Sequence, residues 1–171
     1  MDYELRDIRS FFKGAKVMVG LETSWDNLKS IKADILQIST EFSQPSTELP
    51  LGNIVLSNGL MVEESTTVPF EKLSEHDAIP VIILSNHSGQ GVGLSAAHAL
   101  LLRINGTSDV FFNAWLADRK AAKFFSEYFF THLANGLAPG DAYRQALLNL
   151  IRTKDVNHPH SWAQFFHYGL G

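Results

Sequence analysis

The stretch that decides the fold covers residues 79–93 and reads IPVIILSNHSGQGVG. It opens with five apolar residues, most of them β-branched, interrupted only by Pro80. A run this short predicts a strand that is buried on both faces, as in a parallel sheet. Small and polar residues follow, and an apolar helix is predicted over 94–102. In open α/β sheets such a polar turn lies at the carboxyl end of the strand, where ligands and catalytic groups gather. We therefore expect the functional site around His87.

The length and composition of the chain predict a folded globular domain that does not bind nucleic acid or an anionic membrane. The chain has 171 residues, enough for one domain with a substantial core. Hydrophobic residues make up 45% of it and charged residues 19%, which is typical of a soluble globular protein. The net charge is −4 without a Lys/Arg cluster, so neither nucleic acid nor an anionic membrane is an expected partner. The N-terminus is unlike a signal peptide and no apolar run reaches the length of a membrane span, so we expect a cytoplasmic location.

The sequence indicates no cofactor and no metal site. It contains no cysteine, which excludes thiol chemistry and cysteine-based zinc sites. The histidines show no spacing typical of metal ligands, and we interpret them as surface or capping residues. His98 lies on an otherwise apolar helix, so we expect it to be partly buried and hydrogen-bonded.

Helices and strands alternate along the first third of the chain. A short helix capped by Thr23 or Ser24 is predicted between strands at 17–21 and 34–40. A helix between two strands favours a right-handed βαβ unit. The pattern therefore indicates an α/β protein from its first elements.

The middle of the chain predicts a small β-hairpin. Strand-like runs at 53–57 and 60–64 flank Asn58-Gly59, the pair favoured in type I′ turns. Residues 68–76 are predicted to form a short helix that begins near Pro69. These elements lead directly into the buried strand after residue 79.

Five segments of the second half occur in an order and spacing typical of one family. They read LSNHSGQ at 84–90, AW at 114–115, FFTHLANG at 129–136, PGDA at 139–142 and HPHSWAQF at 158–165. In this order they resemble the CHAT domain, a caspase-like peptidase module that often follows helical repeats in bacteria. That family carries Leu-Ser-Ala-Cys-Glu-Thr-Gly, then Ser-Leu-Trp, an aromatic pair with Leu-x-x-Gly, an Ala-rich helix and His-Pro-x-x-Trp-Ala-x-Phe. Residues 33–40 also resemble the strand that leads to the family's catalytic histidine.

The resemblance implies a three-layer, caspase-like α/β fold. In this fold a mostly parallel sheet lies between helices, with a small β-hairpin as an insertion. Residues 1–171 would form a single CHAT-like domain that lacks the family's opening N-terminal strands. A shortened sheet exposes an edge, and an exposed edge favours pairing with another chain. We therefore expect a protein or peptide partner, either a longer chain or a second copy in a homodimer.

Two departures from the family decide the predicted function. The family's catalytic cysteine falls on His87, and its histidine, in a Thr-His-Gly motif, falls on Glu41, which Phe42 follows instead of glycine. A cysteine peptidase needs a thiolate beside an imidazole base, and the matching positions supply neither. Cysteine-dependent proteolysis is excluded, and we interpret the chain as an inactive pseudo-peptidase domain that binds a protein or peptide. The resemblance assigns the binding cleft to Glu41, Asn86, His87, Ser88, Gly89 and Trp115.

Two other functions stay open at this point. Glu41 could orient His87 as a general base, with Ser85 or Ser88 as the nucleophile of a divergent hydrolase. The sequence contains no Gly-x-Ser-x-Gly elbow in support of it. The glycine turn at 89–93 could instead hold a small anion or a nucleotide on its backbone N–H groups. It lacks the lysine of a P-loop and the spacing of the dinucleotide fingerprint.

Overall fold

The main sheet has four strands and is mostly parallel. The computed structural model describes residues 8–19, 22–43, 45–57, 65–86, 94–115 and 118–169. Three parallel strands are followed by an antiparallel one at the edge, in the order β1 (Ile35–Thr40), β4 (Val81–Asn86), β5 (Asp109–Asn113) and β6 (Phe165–Gly169). A second, two-stranded antiparallel sheet consists of β2 (Asn53–Ser57) and β3 (Ser65–Pro69).

Helical layers cover both faces of the main sheet. One face packs against α1 (Trp25–Lys29), a 3₁₀ helix (Phe70–Glu75), α2 (Ala96–Ile104) and the two-stranded sheet. The other face packs against a helical turn at residues 8–11, α3 (Arg119–Ala134) and α4 (Pro139–Arg152). A short α5 (Pro159–Trp162) leads into β6. The predicted three-layer α/β fold with a mostly parallel sheet and a small hairpin sheet is confirmed.

Strand β4 is the centre of both hydrophobic layers. Ile82 and Leu84 belong to the cluster beneath α2, whereas Val81 and Ile83 belong to the cluster beneath α3 and α4. All four side chains are buried. A strand covered on both faces needs apolar residues at consecutive positions, so the unbroken run in the sequence has a direct cause.

An aromatic layer joins α3 to the sheet. The rings of Phe111 and Phe129 lie 4.9 Å apart, and those of Phe125 and Phe165 stack at 3.9 Å. Burying one such side chain stabilises a fold by about 1.5–3 kcal/mol. The phenylalanines of α3 therefore hold the helix on the sheet, as its sequence periodicity predicts.

Two predictions in the first half are wrong. Residues 17–19 form no strand, and Val19 is 46% exposed, so the predicted βαβ unit is not present in the described part of the chain. A β-branched run becomes a strand only where another strand pairs with it. Residues 20–21 lie outside the described residues.

The hairpin forms with a later second strand than the one predicted. β2 pairs with Ser65–Pro69, and the predicted run at 60–64, like Asn58-Gly59, lies outside the described residues. Val68 pairs with Ile54 and both are buried, which fixes this register on the core face. The helix assigned to 68–76 is a 3₁₀ helix that begins at Phe70.

Within the described ranges, no helix combines the length and the apolar character needed to cross a membrane.

Candidate binding site

The ends of β1 and β4 lie side by side. The two strands are parallel and in register, and Thr40 pairs with Asn86 at their carboxyl ends. Glu41 is the next residue after Thr40, so it lies beside the carboxyl end of β4, and its side chain is exposed. The chain continues from Asn86 into His87, Ser88 and Gly89, three predicted site residues that lie outside the described residues.

The two-stranded sheet is fastened to the end of β1. The Glu41 carbonyl accepts a hydrogen bond from the Val55 N–H at 3.0 Å, and the Thr40 hydroxyl donates to the Val55 carbonyl. Phe42 is 3% exposed, and its ring centroid lies 6.2 Å from that of Phe70. Phe42 therefore anchors the segment after β1 in the core.

Asn113 joins the carboxyl ends of β4 and β5. Its Oδ1 accepts from the Asn86 N–H at 2.7 Å, and its Nδ2 donates to the Asn86 carbonyl at 3.1 Å. The same Nδ2 donates to the Trp115 carbonyl at 2.9 Å. Asn86 and Asn113 are 3% and 6% exposed, so these bonds replace water that the strand ends have lost. The carboxamide thus continues the ladder beyond the paired residues Leu84 and Phe112.

Sequence reasoning missed Asn113. The available signal was that both central strands end in asparagine, at 86 and at 113, after an apolar run. A carboxamide can donate and accept at once, which suits it to bridge two strand ends.

Trp115 lies in an aromatic group at the same end of the sheet. Its Nε1 donates to the His160 carbonyl at 3.3 Å, and its ring lies 6.1 Å from the ring of His160. Phe166 meets the indole edge-on at 6.4 Å and stacks on Phe112 at 5.5 Å. Phe166 is 42% exposed, so the group presents an apolar surface to solvent.

The structure links three of the six predicted site residues. Asn86 and Trp115 are tied to each other through Asn113, and Glu41 is placed beside Asn86 by the strand register. The other three belong to the segment after β4 that the structure does not describe. The predicted pairing of Glu41 with His87 and Ser88 therefore stays a prediction, as does anion binding at the 89–93 turn.

His98 and His158, two of the histidines that the structure describes, make hydrogen bonds with the backbone. His158 caps α5, and its Nδ1 accepts from the His160 N–H at 3.2 Å. His98 is 5% exposed and hydrogen-bonded, as its place on an apolar helix predicts. Across the described ranges, no three His, Asp or Glu side chains come together in a group that could hold a metal ion.

A mostly parallel sheet between two helical layers, with a hairpin sheet fastened beside its carboxyl end, defines the caspase-like class of α/β domain. The family model of the CHAT domain matches residues 1–170, so the chain belongs to the CHAT domain family. The absence of cysteine makes it a degenerate member that lacks the Cys/His dyad. The comparison with curated proteins gives no match.

Proposed function

We propose that this CHAT domain is a bacterial-type, cytoplasmic pseudo-peptidase that binds a protein or peptide at the carboxyl end of its main sheet. The observation that carries the proposal is the fixed strand end itself. Three hydrogen bonds from one buried carboxamide hold the backbone of Asn86 and Trp115 in place. The sequence contains no cysteine, so this site has no thiol nucleophile.

A fixed backbone favours binding because little conformational entropy is lost when a partner docks. Beside it, Trp115 and Phe166 supply large, rigid side chains of the kind that contribute most to protein interfaces. Glu41 adds an exposed carboxylate. This combination suits a peptide with an apolar or aromatic side chain and a neighbouring lysine or arginine.

The partner class includes a second copy of the chain. Among the described strands, β1 and β6 are the outer strands of the main sheet. An outer strand keeps one row of backbone groups available for pairing, so either edge could support a homodimer. A different protein as partner would bind at the carboxyl end of the main sheet.

The proposal is tested by selecting peptides from a random display library and measuring their affinity by fluorescence polarisation. Glu41→Lys and Trp115→Ala should each weaken the selected peptides by about tenfold, the effect of removing one good contact at an interface. Glu75→Lys is the matched control, because this exposed glutamate precedes β4 and so lies toward the other end of the sheet. Affinities that fall equally in all three variants, or a library without binders, would contradict the proposal.

The same library separates the hydrolase alternative. For a pseudo-peptidase, mass spectrometry after incubation should show every peptide intact, whereas a hydrolase that uses Ser88 or His87 with Glu41 would cleave some of them. Cleavage that disappears in the His87→Ala variant would show that the domain is an enzyme and would contradict the proposed binding function.

A further inference from the structure

His98 connects the start of α2 to the turn before β2. Its Nε2 lies 3.0 Å from the Leu51 carbonyl, and its Nδ1 accepts from the Ser95 N–H at 3.1 Å. The Ser95 hydroxyl also lies 2.9 Å from Nδ1. A carbonyl only accepts, so Nε2 carries the proton and Nδ1 is left as the acceptor. The neutral imidazole with its proton on Nε2 is the form that makes both backbone contacts.

A second proton on this ring would break one of the two contacts. It would sit on Nδ1, which could then donate to the Ser95 hydroxyl oxygen but could no longer accept from the Ser95 N–H, so this capping bond at the start of α2 would be lost. The added positive charge would also lie in the first turn of a helix, where the helix dipole disfavours cations. The ring is buried edge-on against Phe70, with centroids 4.6 Å apart, so little water can compensate.

One charged group opposes this effect. Glu71, on the 3₁₀ helix, accepts from the Leu51 N–H at 3.4 Å and favours the protonated imidazole. Burial is the largest influence and lowers the pKa of His98 below its ordinary value, although the hydrogen bond to the Leu51 carbonyl and the charge of Glu71 both raise it. The neutral form therefore prevails at neutral pH, and protonation occurs only under acidic conditions.

We propose that His98 is a proton-sensitive clasp that holds the turn at Leu51 to the start of α2 and releases the Ser95 N–H on acidification. The helix α2 follows β4, whose carboxyl end forms part of the candidate binding site. Opening the clasp removes a capping bond from the first turn of this helix. The clasp is a property of the chain alone and does not depend on the proposed partner.

Hydrogen exchange of the Ser95 amide in the full chain tests the clasp. After correction for intrinsic exchange, protection of this amide should fall by about tenfold between about pH 7.5 and about pH 4.5, a range that extends below that of an ordinary histidine because burial lowers the pKa of His98. His98→Gln should remove this dependence, because glutamine at this position can accept from the Ser95 N–H as in a capping box but cannot titrate. His160→Gln, at an exposed histidine, is the matched control and should keep the full dependence.

Ring nitrogen NMR of the unmodified chain gives a second measurement that needs no variant. At neutral pH the His98 ring should show a protonated Nε2 and an unprotonated Nδ1. The Nδ1 signal should then titrate together with the loss of Ser95 protection. The clasp is refuted if Ser95 stays equally protected at both pH values, if His98→Gln keeps the dependence, or if Nδ1 is already protonated at neutral pH.

Discussion

Replacing Asn113 by leucine tests the feature that holds the candidate site together. Leucine has nearly the same shape but makes none of the three hydrogen bonds to the Asn86 N–H, the Asn86 carbonyl and the Trp115 carbonyl. Each buried hydrogen bond contributes about 1 kcal/mol, so we expect a loss of about 3 kcal/mol in the free energy of unfolding. The loss is local, and the strands before Asn86 should keep their pairing.

The assay is urea unfolding followed by far-UV circular dichroism. With a slope of about 2 kcal/mol per molar urea, the expected loss lowers the midpoint by about 1.5 M. Asn157→Leu is the control, because this asparagine is exposed in a loop and should shift the midpoint by less than about 0.3 M. Asn113→Asp keeps an acceptor for the Asn86 N–H and loses both donated bonds, so exchange of that amide should stay slower than in Asn113→Leu. A midpoint for Asn113→Leu within about 0.3 M of the unmodified chain, at an unchanged slope, would refute the reasoning.

Three further outcomes are expected. A Cβ added by Gly169→Ala would collide with Asp109 Oδ1 and His167 Nε2, which lie 2.7 Å apart in a largely buried pair, so differential scanning calorimetry should show a loss of about 1–3 kcal/mol. Burial raises the pKa of Tyr143 to about 12, so the unfolded chain releases this proton first and stability should fall as the pH rises from its ordinary value of 10.0 toward 12. Urea midpoints measured across that pH range should therefore decrease less steeply with pH in Tyr143→Phe than in the unmodified chain. The lowered pKa of His98 affects stability on the acidic side. Because the unfolded chain binds this proton first, stability should fall as the pH drops below 6.5. His98→Gln should make the urea midpoint depend less on pH in this range.

The sequence predicts the elements whose signals are purely local. The run before Asn86 indicates a strand buried on both faces, because a strand with one face in solvent would alternate apolar and polar residues. Ser24 caps α1 as predicted, and its side chain accepts from the Asn27 N–H at 3.3 Å. Such signals depend on neighbours a few residues away and so can be read directly.

The wrong predictions concern strands, whose formation depends on pairing with segments that are distant in the sequence. Residues 17–19 have the composition of a strand but no strand pairs with them in the described part of the chain. β2 pairs with Ser65–Pro69 because Val68 meets Ile54 in the core, which the turn-like Asn58-Gly59 could not reveal. Strand pairing is decided by packing between segments, and a single sequence does not show that packing.

The candidate site is only partly readable from sequence. Its position follows from the rule that sites lie at the carboxyl ends of parallel strands, and the resemblance to the family gave Glu41, Asn86 and Trp115. Asn113, the residue that connects two of them, has no motif of its own. Its role depends on two strand ends that are 27 positions apart in the chain and meet only in the folded sheet.

The order of the strands has a consequence for how the protein is made. β5 lies between β4 and β6, yet β6 follows β5 in the chain only after both long helices. Until it emerges, one side of β5 has no neighbour, and the aromatic rings of Phe111 and Phe112 lack the strand beside them. Until β6 has been synthesised, the nascent chain therefore exposes an incomplete edge of the main sheet, and during this interval it is prone to aggregation.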